Sequence, residues 1–210
     1  MANPPVIAIE QGKGGVLKTA TAVALAEAAA EAGADVLLAD SDPQGSAVRW
    51  HQLAEATGRP LRCTVAGIAS RNLATRLPVM AAAYAMAFID GPPVRDELIV
   101  AGIEAADLVV MPVPPKKGDI DRVPSLLKAA ANAGKPVLAV LTFTRPDTRQ
   151  ALEAREALTD MGVQVAQTTI AYSMPVADMY GARPRGKLAA YGRDLLAEVL
   201  DVLGAPAAAA

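Results

Sequence analysis

The chain is poor in the residues that build metal centres, disulfides and stacking platforms. It holds one cysteine, Cys63, and one histidine, His51, in 210 residues. A single cysteine excludes an intramolecular disulfide and any site that needs several thiolates from one chain. A single histidine leaves no multi-histidine metal site within one chain. Aromatic residues make up 3% of the sequence, so the core must be aliphatic and stacking on single-stranded nucleic acid has little to work with. Lysine plus arginine number 20 against 22 acidic residues, a net charge of −2, so any surface for nucleic acid must be local. No apolar run reaches the length of a membrane span. The N-terminus lacks a basic segment followed by an apolar one, so no secretory signal is expected. No linker, repeat or low-complexity block divides the chain, and the alanine-rich end, 204–210, is expected to be a frayed tail.

What is present is aliphatic: 52% of residues are hydrophobic, enough for one substantial core. Apolar runs alternate with alanine- and leucine-rich stretches. The runs predict strands at 6–10, 35–40, 62–66, 85–90, 108–113, 136–142 and 163–168. Helices are predicted at 18–32, 46–57, 72–82, 95–105, 120–133, 147–161 and 187–203. Segments such as Val36-Leu37-Leu38-Ala39 and Leu108-Val109-Val110-Met111 are apolar at every position. Strands of that kind are buried on both faces, with helices as cover. Gly33, Gly134 and Gly162 stand where helices stop. The expected fold is one doubly wound α/β domain over 1–210, with a mostly parallel sheet, helices on both faces and ligands at the carboxyl ends of the strands.

Gly12-Lys13-Gly14-Gly15-Val16-Leu17-Lys18-Thr19 lies directly after the first strand and opens the first helix. That context makes a P-loop of it. Backbone N–H groups of such a turn converge on phosphate oxygens, and the following helix N-terminus adds partial positive charge. Lys18 would neutralise the β- and γ-phosphates of ATP, and the Thr19 hydroxyl would ligate Mg²⁺. Leu17 stands where the pattern GxxxxGK[ST] has its last glycine. If the backbone there is near-helical, its N–H still serves; if φ must be positive, leucine costs about 1–2 kcal/mol.

Read from Lys13 as KGGVLKT, the loop resembles the deviant Walker A motif of the ParA/MinD class of P-loop ATPases. Asp40-Ser41-Asp42-Pro43-Gln44-Gly45-Ser46 resembles the DxDPQG switch I of that class, with Trp50 following as in small, ParF-like plasmid partition proteins. Phe88-Ile89-Asp90-Gly91-Pro92-Pro93 resembles switch II, and the segment from Ala106 to Val113 resembles ADLVxxPV. The likeness is strongest over the first 115 residues and weak over 145–191.

The resemblance implies an ATPase whose two subunits enclose two ATP molecules. Residues Gly12 to Ala20 (Gly12, Lys13, Gly14, Gly15, Val16, Leu17, Lys18, Thr19 and Ala20) would bind ATP or ADP. Lys13 would reach the partner's phosphates, Lys18 its own, and Asp42 would orient the attacking water; these three form the catalytic set. Thr19, Asp40 and Asp90 would hold Mg²⁺. Asp42 also fits as the N-cap of a helix from Pro43, a role compatible with the catalytic one. Backbone groups at Met174 and Pro175 stand as candidates for adenine recognition, since the asparagine usual after the sixth strand is missing. The implied partners are a second copy, nonspecific duplex DNA and a ParB-like or other adaptor that stimulates hydrolysis. The expected place is the nucleoid-associated cytoplasm, with no membrane partner. An N-terminal operator-binding domain is not expected.

Arg183, Arg185, Lys187 and Arg193 lie in a stretch without an acidic residue and are the candidate DNA contacts. The favoured activity is slow, partner-stimulated ATP hydrolysis that drives partition of plasmid or chromosomal DNA. The alternatives are positioning of a protein or membrane-associated cargo, a nucleotide-binding scaffold with weak hydrolysis, and a metabolic P-loop enzyme of the amide-ligase or dethiobiotin-synthetase type.

Overall fold

The computed structural model describes residues 3–94, 96–171 and 180–204. Their strands are β1 (Val6–Ile9), β2 (Val36–Asp40), β3 (Thr64–Gly67), β4 (Met86–Asp90), β5 (Leu108–Val113), β6 (Val137–Thr142) and β7 (Gln164–Ile170). They form one sheet in the order β3-β2-β4-β1-β5-β6-β7, and every described pairing is parallel. The helices are α1 (Lys18–Glu31), α2 (Ser46–Ala56), α3 (Leu73–Ala81), α4 (Asp96–Ala105), α5 (Lys117–Ile120), α6 (Val123–Asn132), α7 (Arg149–Asp160) and α8 (Gly186–Leu203).

The sheet separates two kinds of packing. Ile7 and Ile9 of β1, Leu38 of β2 and Phe88 of β4 pack with the alanine-rich α1 and with Leu188, Leu195 and Val199 of α8. Val6, Ala8, Leu37, Ala87 and Ile89 face the other way, toward Leu73 and Leu77 of α3 and Ala101 of α4. This alternation follows from the two-residue repeat of a strand whose both faces are buried. The close approach of α1 and α8 rests on a missing side chain: a methyl group at Gly192 would overlap the backbone carbonyl of Ala24.

Several sequence expectations are corrected at element ends. The helix expected over 120–133 begins at Val123, with Pro124 in the first turn of α6, and a separate short helix, α5, ends at Ile120. A proline carries no N–H to bond to an upstream carbonyl, so it suits a first turn and not a helix interior. The strand expected over 62–66 begins at Thr64, and Cys63 is buried just before it. Its neighbours Thr64 and Gly67 are exposed because β3 is an edge strand. The strand expected over 163–168 runs on to Ile170, with a register irregularity against β6 between Ala139 and Leu141.

β1 lies between β4 and β5, with β2 and β3 beyond β4 on one side and β6 and β7 beyond β5 on the other. The chain therefore opens a crevice at the carboxyl ends of β1, β2 and β4, where a doubly wound sheet holds its ligand.

Candidate nucleotide site

Strand register sets the acidic part of the crevice. Asp40 and Asp90 are paired residues at the ends of β2 and β4, and Asp90 is also paired with Ile9 of β1. Paired residues of parallel strands point to the same face, so both carboxylates project toward α1, as Phe88 and Leu38 do two residues earlier.

From the end of β1 the backbone climbs into α1 through left-handed torsions at Gly15, φ 72°, and Leu17, φ 70°. Position 17 thus requires the torsion that glycine tolerates and leucine does not, which decides the alternative left open by the sequence. Leu17 is the residue at the head of α1, and no side chain caps that helix. Its free N–H groups face the crevice mouth, whereas α7 is capped by the Thr148 hydroxyl. A helix start without a protein acceptor, reached through a glycine turn, is chemically suited to a phosphate.

Lys18 is the first residue of α1 and is 7% exposed. Its Nζ donates to the Lys13 carbonyl at 2.8 Å, which holds the ammonium inside the curve of the loop. Burial lowers its pKa, and Asp90, Glu10 and Asp42 pull the other way. Asp90 is 1% exposed, and both its carboxyl oxygens lack a hydrogen-bond partner. Burial pushes its pKa up to about 7; the Thr19 hydroxyl beside it favours the charged form, and the nearby Asp40 opposes it. Asp90 and the adjacent Thr19 hydroxyl therefore offer hard oxygen donors, a pair that fits Mg²⁺.

Asp40 is engaged differently. Its Oδ2 accepts the N–H groups of Ala47 and Val48 at 2.9 and 3.0 Å, and its Oδ1 accepts that of Asp42 at 3.1 Å. It satisfies the start of α2, the service the sequence offered as the alternative for Asp42. Burial raises the pKa of Asp40 against those three bonds. Asp42 instead closes a tight turn, accepting the Gln44 N–H at 2.9 Å, and helix α2 begins at Ser46 rather than Pro43. Asp42 stays partly exposed on the wall of a cleft of about 350 Å³, with Gly14, Lys18, Thr19, Gly91 and Tyr180. Such a volume suits a small ligand.

Lys13 does not point into that cleft. Its Nζ pairs with Asp119 of α5 at 2.5 Å, and Asp119 is 2% exposed while the lysine side chain is 43% exposed. The resemblance had given Lys13 to a partner subunit. Within one chain it neutralises a buried carboxylate.

Among the remaining candidates, Val16 and Ala20 are buried against the loop. Gly12 has open space around it, and Gly14 sits against Pro93. Met174 and Pro175 lie outside the described residues. Arg183 donates to the Pro60 carbonyl at 2.8 Å and pairs with the buried Glu27, and Arg193 pairs with Glu31. The acid-free stretch is thus neutralised in part by α1, a contact between residues more than 150 positions apart. Arg185 and Lys187 are exposed.

Sequence reasoning passed over Trp50's anchoring. Its Nε1 donates to the Ala182 carbonyl at 2.8 Å, and Tyr180 stands edge-on with centroids 5.1 Å apart. It also passed over Asp119 and Glu10. The position of Glu10 inside an apolar strand end was the only signal for it.

Comparison with known proteins agrees with this geometry. The chain is 35% identical over 170 residues to the maintenance of carboxysome distribution protein A of Gloeobacter kilaueensis, covering 80% of this chain and 76% of that protein. It is 31% identical over 150 residues to the chromosome-partitioning ATPase Soj of Thermus thermophilus, covering 58% and 59%. Its fold superposes with a TM-score of 0.75 on cobyrinic acid a,c-diamide synthase of Mycobacterium smegmatis, solved with an ATP analogue and magnesium, at 21% identity and 95% coverage of each chain. The CobQ/CobB/MinD/ParA nucleotide-binding domain matches residues 7–182, and the chain belongs to that family.

Proposed function

We propose that this chain is an ATPase that dimerises on MgATP, binds nonspecific duplex DNA in that state, and is released when a partner protein stimulates slow hydrolysis, so that a cargo is moved or spaced. The observation that carries the reading is the crevice itself: an uncapped helix start with a buried lysine beside an unpartnered Asp90. Lys18 is held in place by the Lys13 carbonyl, and no cation among the described residues pairs with Asp90, so both charges are left turned toward a ligand. MgATP would supply the phosphoryl group that is transferred to water and a divalent charge that neutralises it.

The chain's own residues have separable tasks. Backbone N–H groups from Gly14 to Thr19 would hold phosphate oxygens, and Lys18 would stay charged because phosphate favours its ammonium form. Asp90 and the Thr19 hydroxyl would bind Mg²⁺, with Asp40 behind them as the group that fixes the head of α2. Asp42 is placed to accept a proton from, and orient, a water. Lys13 would leave Asp119 to reach the partner's phosphates.

The cargo admits two readings. DNA partition is favoured by the Soj likeness; positioning of a protein compartment is favoured by the 35% identity to a carboxysome distribution protein. Both need the same DNA-bound dimer.

Retention on random-sequence duplex DNA, measured without nucleotide, with ADP and with MgATP, tests the reading. Binding is expected with MgATP only, retained in Asp42→Ala and lost in Lys13→Gln. Charge reversal at Arg185 plus Lys187 should weaken it at least about tenfold and flatten its salt dependence by about two phosphate contacts. No retention under any nucleotide would remove DNA from the account and leave the ATP site standing.

A further inference from the structure

The crevice has a floor that the nucleotide reading does not use. Glu10 follows β1, and its N–H still donates to the Val110 carbonyl, so it continues the strand. By alternation its side chain takes the Ala8 face, away from α1 and toward α4. It is 0% exposed, and neither carboxyl oxygen has a hydrogen-bond partner.

Two glycines make room for it. A methyl group at Gly91 would overlap Glu10 Oε2, and one at Gly102 would overlap Oε1. Neither glycine has a positive φ, so backbone torsion does not explain them. Gly102 lies inside α4, where glycine costs about 1 kcal/mol relative to alanine. A desolvated carboxyl flanked by two glycines is an expensive arrangement, and nothing in the packing of the sheet requires it. Such local costs concentrate where function sets the geometry. The neighbours give the function: Gly91 follows Asp90 directly, and the charges of Lys18 and Asp90 both act on Glu10.

We propose that Glu10 is a positioning residue for the Asp90-Gly91-Pro92-Pro93 loop, its carboxyl wedged between Gly91 and Gly102 so that Asp90 is held at the distance from Thr19 and Lys18 that magnesium binding requires. The wedge works by shape. Burial raises the pKa of Glu10 well above the usual carboxylate range. The inference rests on the MgATP reading and adds a residue that touches neither phosphate nor metal.

The test compares wild type, Glu10→Ala, Glu10→Gln and the double variant Glu10→Ala/Gly102→Ala, in which the added methyl group refills the cavity should Glu10→Ala fail to fold. A non-hydrolysable ATP analogue is titrated with and without Mg²⁺, beside kcat, KM and the thermal midpoint. In Glu10→Ala the magnesium-dependent gain in affinity is expected to fall at least about fivefold and kcat about tenfold, the scale of a small misplacement of a reacting group. Affinity without Mg²⁺ should hold within about twofold, because the phosphate loop is untouched. Glu10→Gln keeps the shape and should restore both, while the double variant should regain stability without regaining the magnesium increment. An unchanged increment in Glu10→Ala overturns the proposal, and so does an equal loss in Glu10→Gln. If the wild-type chain shows no magnesium-dependent nucleotide binding, the nucleotide reading itself fails; if it does and Glu10→Ala matches it, only the role of Glu10 fails.

Discussion

Leu17 carries the most local strain in the crevice, since a leucine holds a left-handed torsion at φ 70° and ψ 25°. It is also partly buried against the core that includes α1 and Trp50. Strain and packing pull a substitution in opposite directions. Leu17→Ala keeps the strained torsion and loses apolar contact, so it should destabilise by about 1–2 kcal/mol. Leu17→Gly relieves a strain of about 1–2 kcal/mol while losing the same contact and adding unfolded-state entropy, so urea unfolding should place it within about 1 kcal/mol of wild type. If Leu17→Gly were the worse of the two, the strain argument would be wrong. Glu10 and Asp90 make a second prediction. Both have folded-state pKa values above those of exposed carboxylates, so the folded chain binds protons that the unfolded chain has released. Their stabilising contribution is full at low pH and is lost as pH rises from about 4 through the folded value, about 7 for Asp90. In nucleotide-free, magnesium-free urea unfolding, Glu10→Gln and Asp90→Asn should gain on wild type as pH goes from 5 to 8. A gap that shrinks with pH would refute the assignment. The identities of Lys18, Thr19, Asp40 and Asp90 as neighbours were legible in the sequence because each stands at the end of a strand or closes the glycine loop after one. Glu10 and Asp119 were not: their significance depends on Gly91, Gly102 and Lys13, which no periodicity links to them.

At the scale of elements, the alternation of apolar runs with alanine-rich stretches gave every strand and all helices except α5 among the described residues. What it missed was where elements end and what they touch. The capping of α2 is an example. Asp42 and Asp40 are both short acidic residues before the helix, and only the register of β2 against β4 selects Asp40. The α1–α8 contact was invisible for the same reason, since nothing near Gly192 in sequence announces Ala24. Gly192→Ala should push the two helices apart and destabilise by about 1–3 kcal/mol, the ordinary cost of overpacking, although alanine is the better helix former. A thermal midpoint at or above that of wild type would mean that the helices slide without cost. Among the described residues no helix is long and apolar enough to cross a membrane. The last helix spends its apolar face on α1 and β7.

For the whole molecule, the sheet order places three loops around one crevice, and the family membership follows from that crevice and its sequence. The basic surface is smaller than the sequence suggested. Glu27 and Glu31 on α1 take up Arg183 and Arg193, leaving Arg185 and Lys187 as the exposed cations of that stretch outside those ion pairs. On the proposed function, a surface so limited would bind duplex DNA weakly as one copy and gain by pairing, because two linked faces act as one multivalent site. Dimerisation is therefore the step on which the proposed function turns. The Lys13–Asp119 pair sets a cost on it, since Lys13 cannot reach a partner without leaving a buried carboxylate behind. The most direct measurement is the mass of the chain in solution by sedimentation velocity, with ADP and with MgATP, for wild type and Asp42→Ala. The account predicts one copy with ADP and two with MgATP, the dimer persisting longer in Asp42→Ala because its hydrolysis is impaired. A chain that binds MgATP and stays a single copy in both proteins would contradict it.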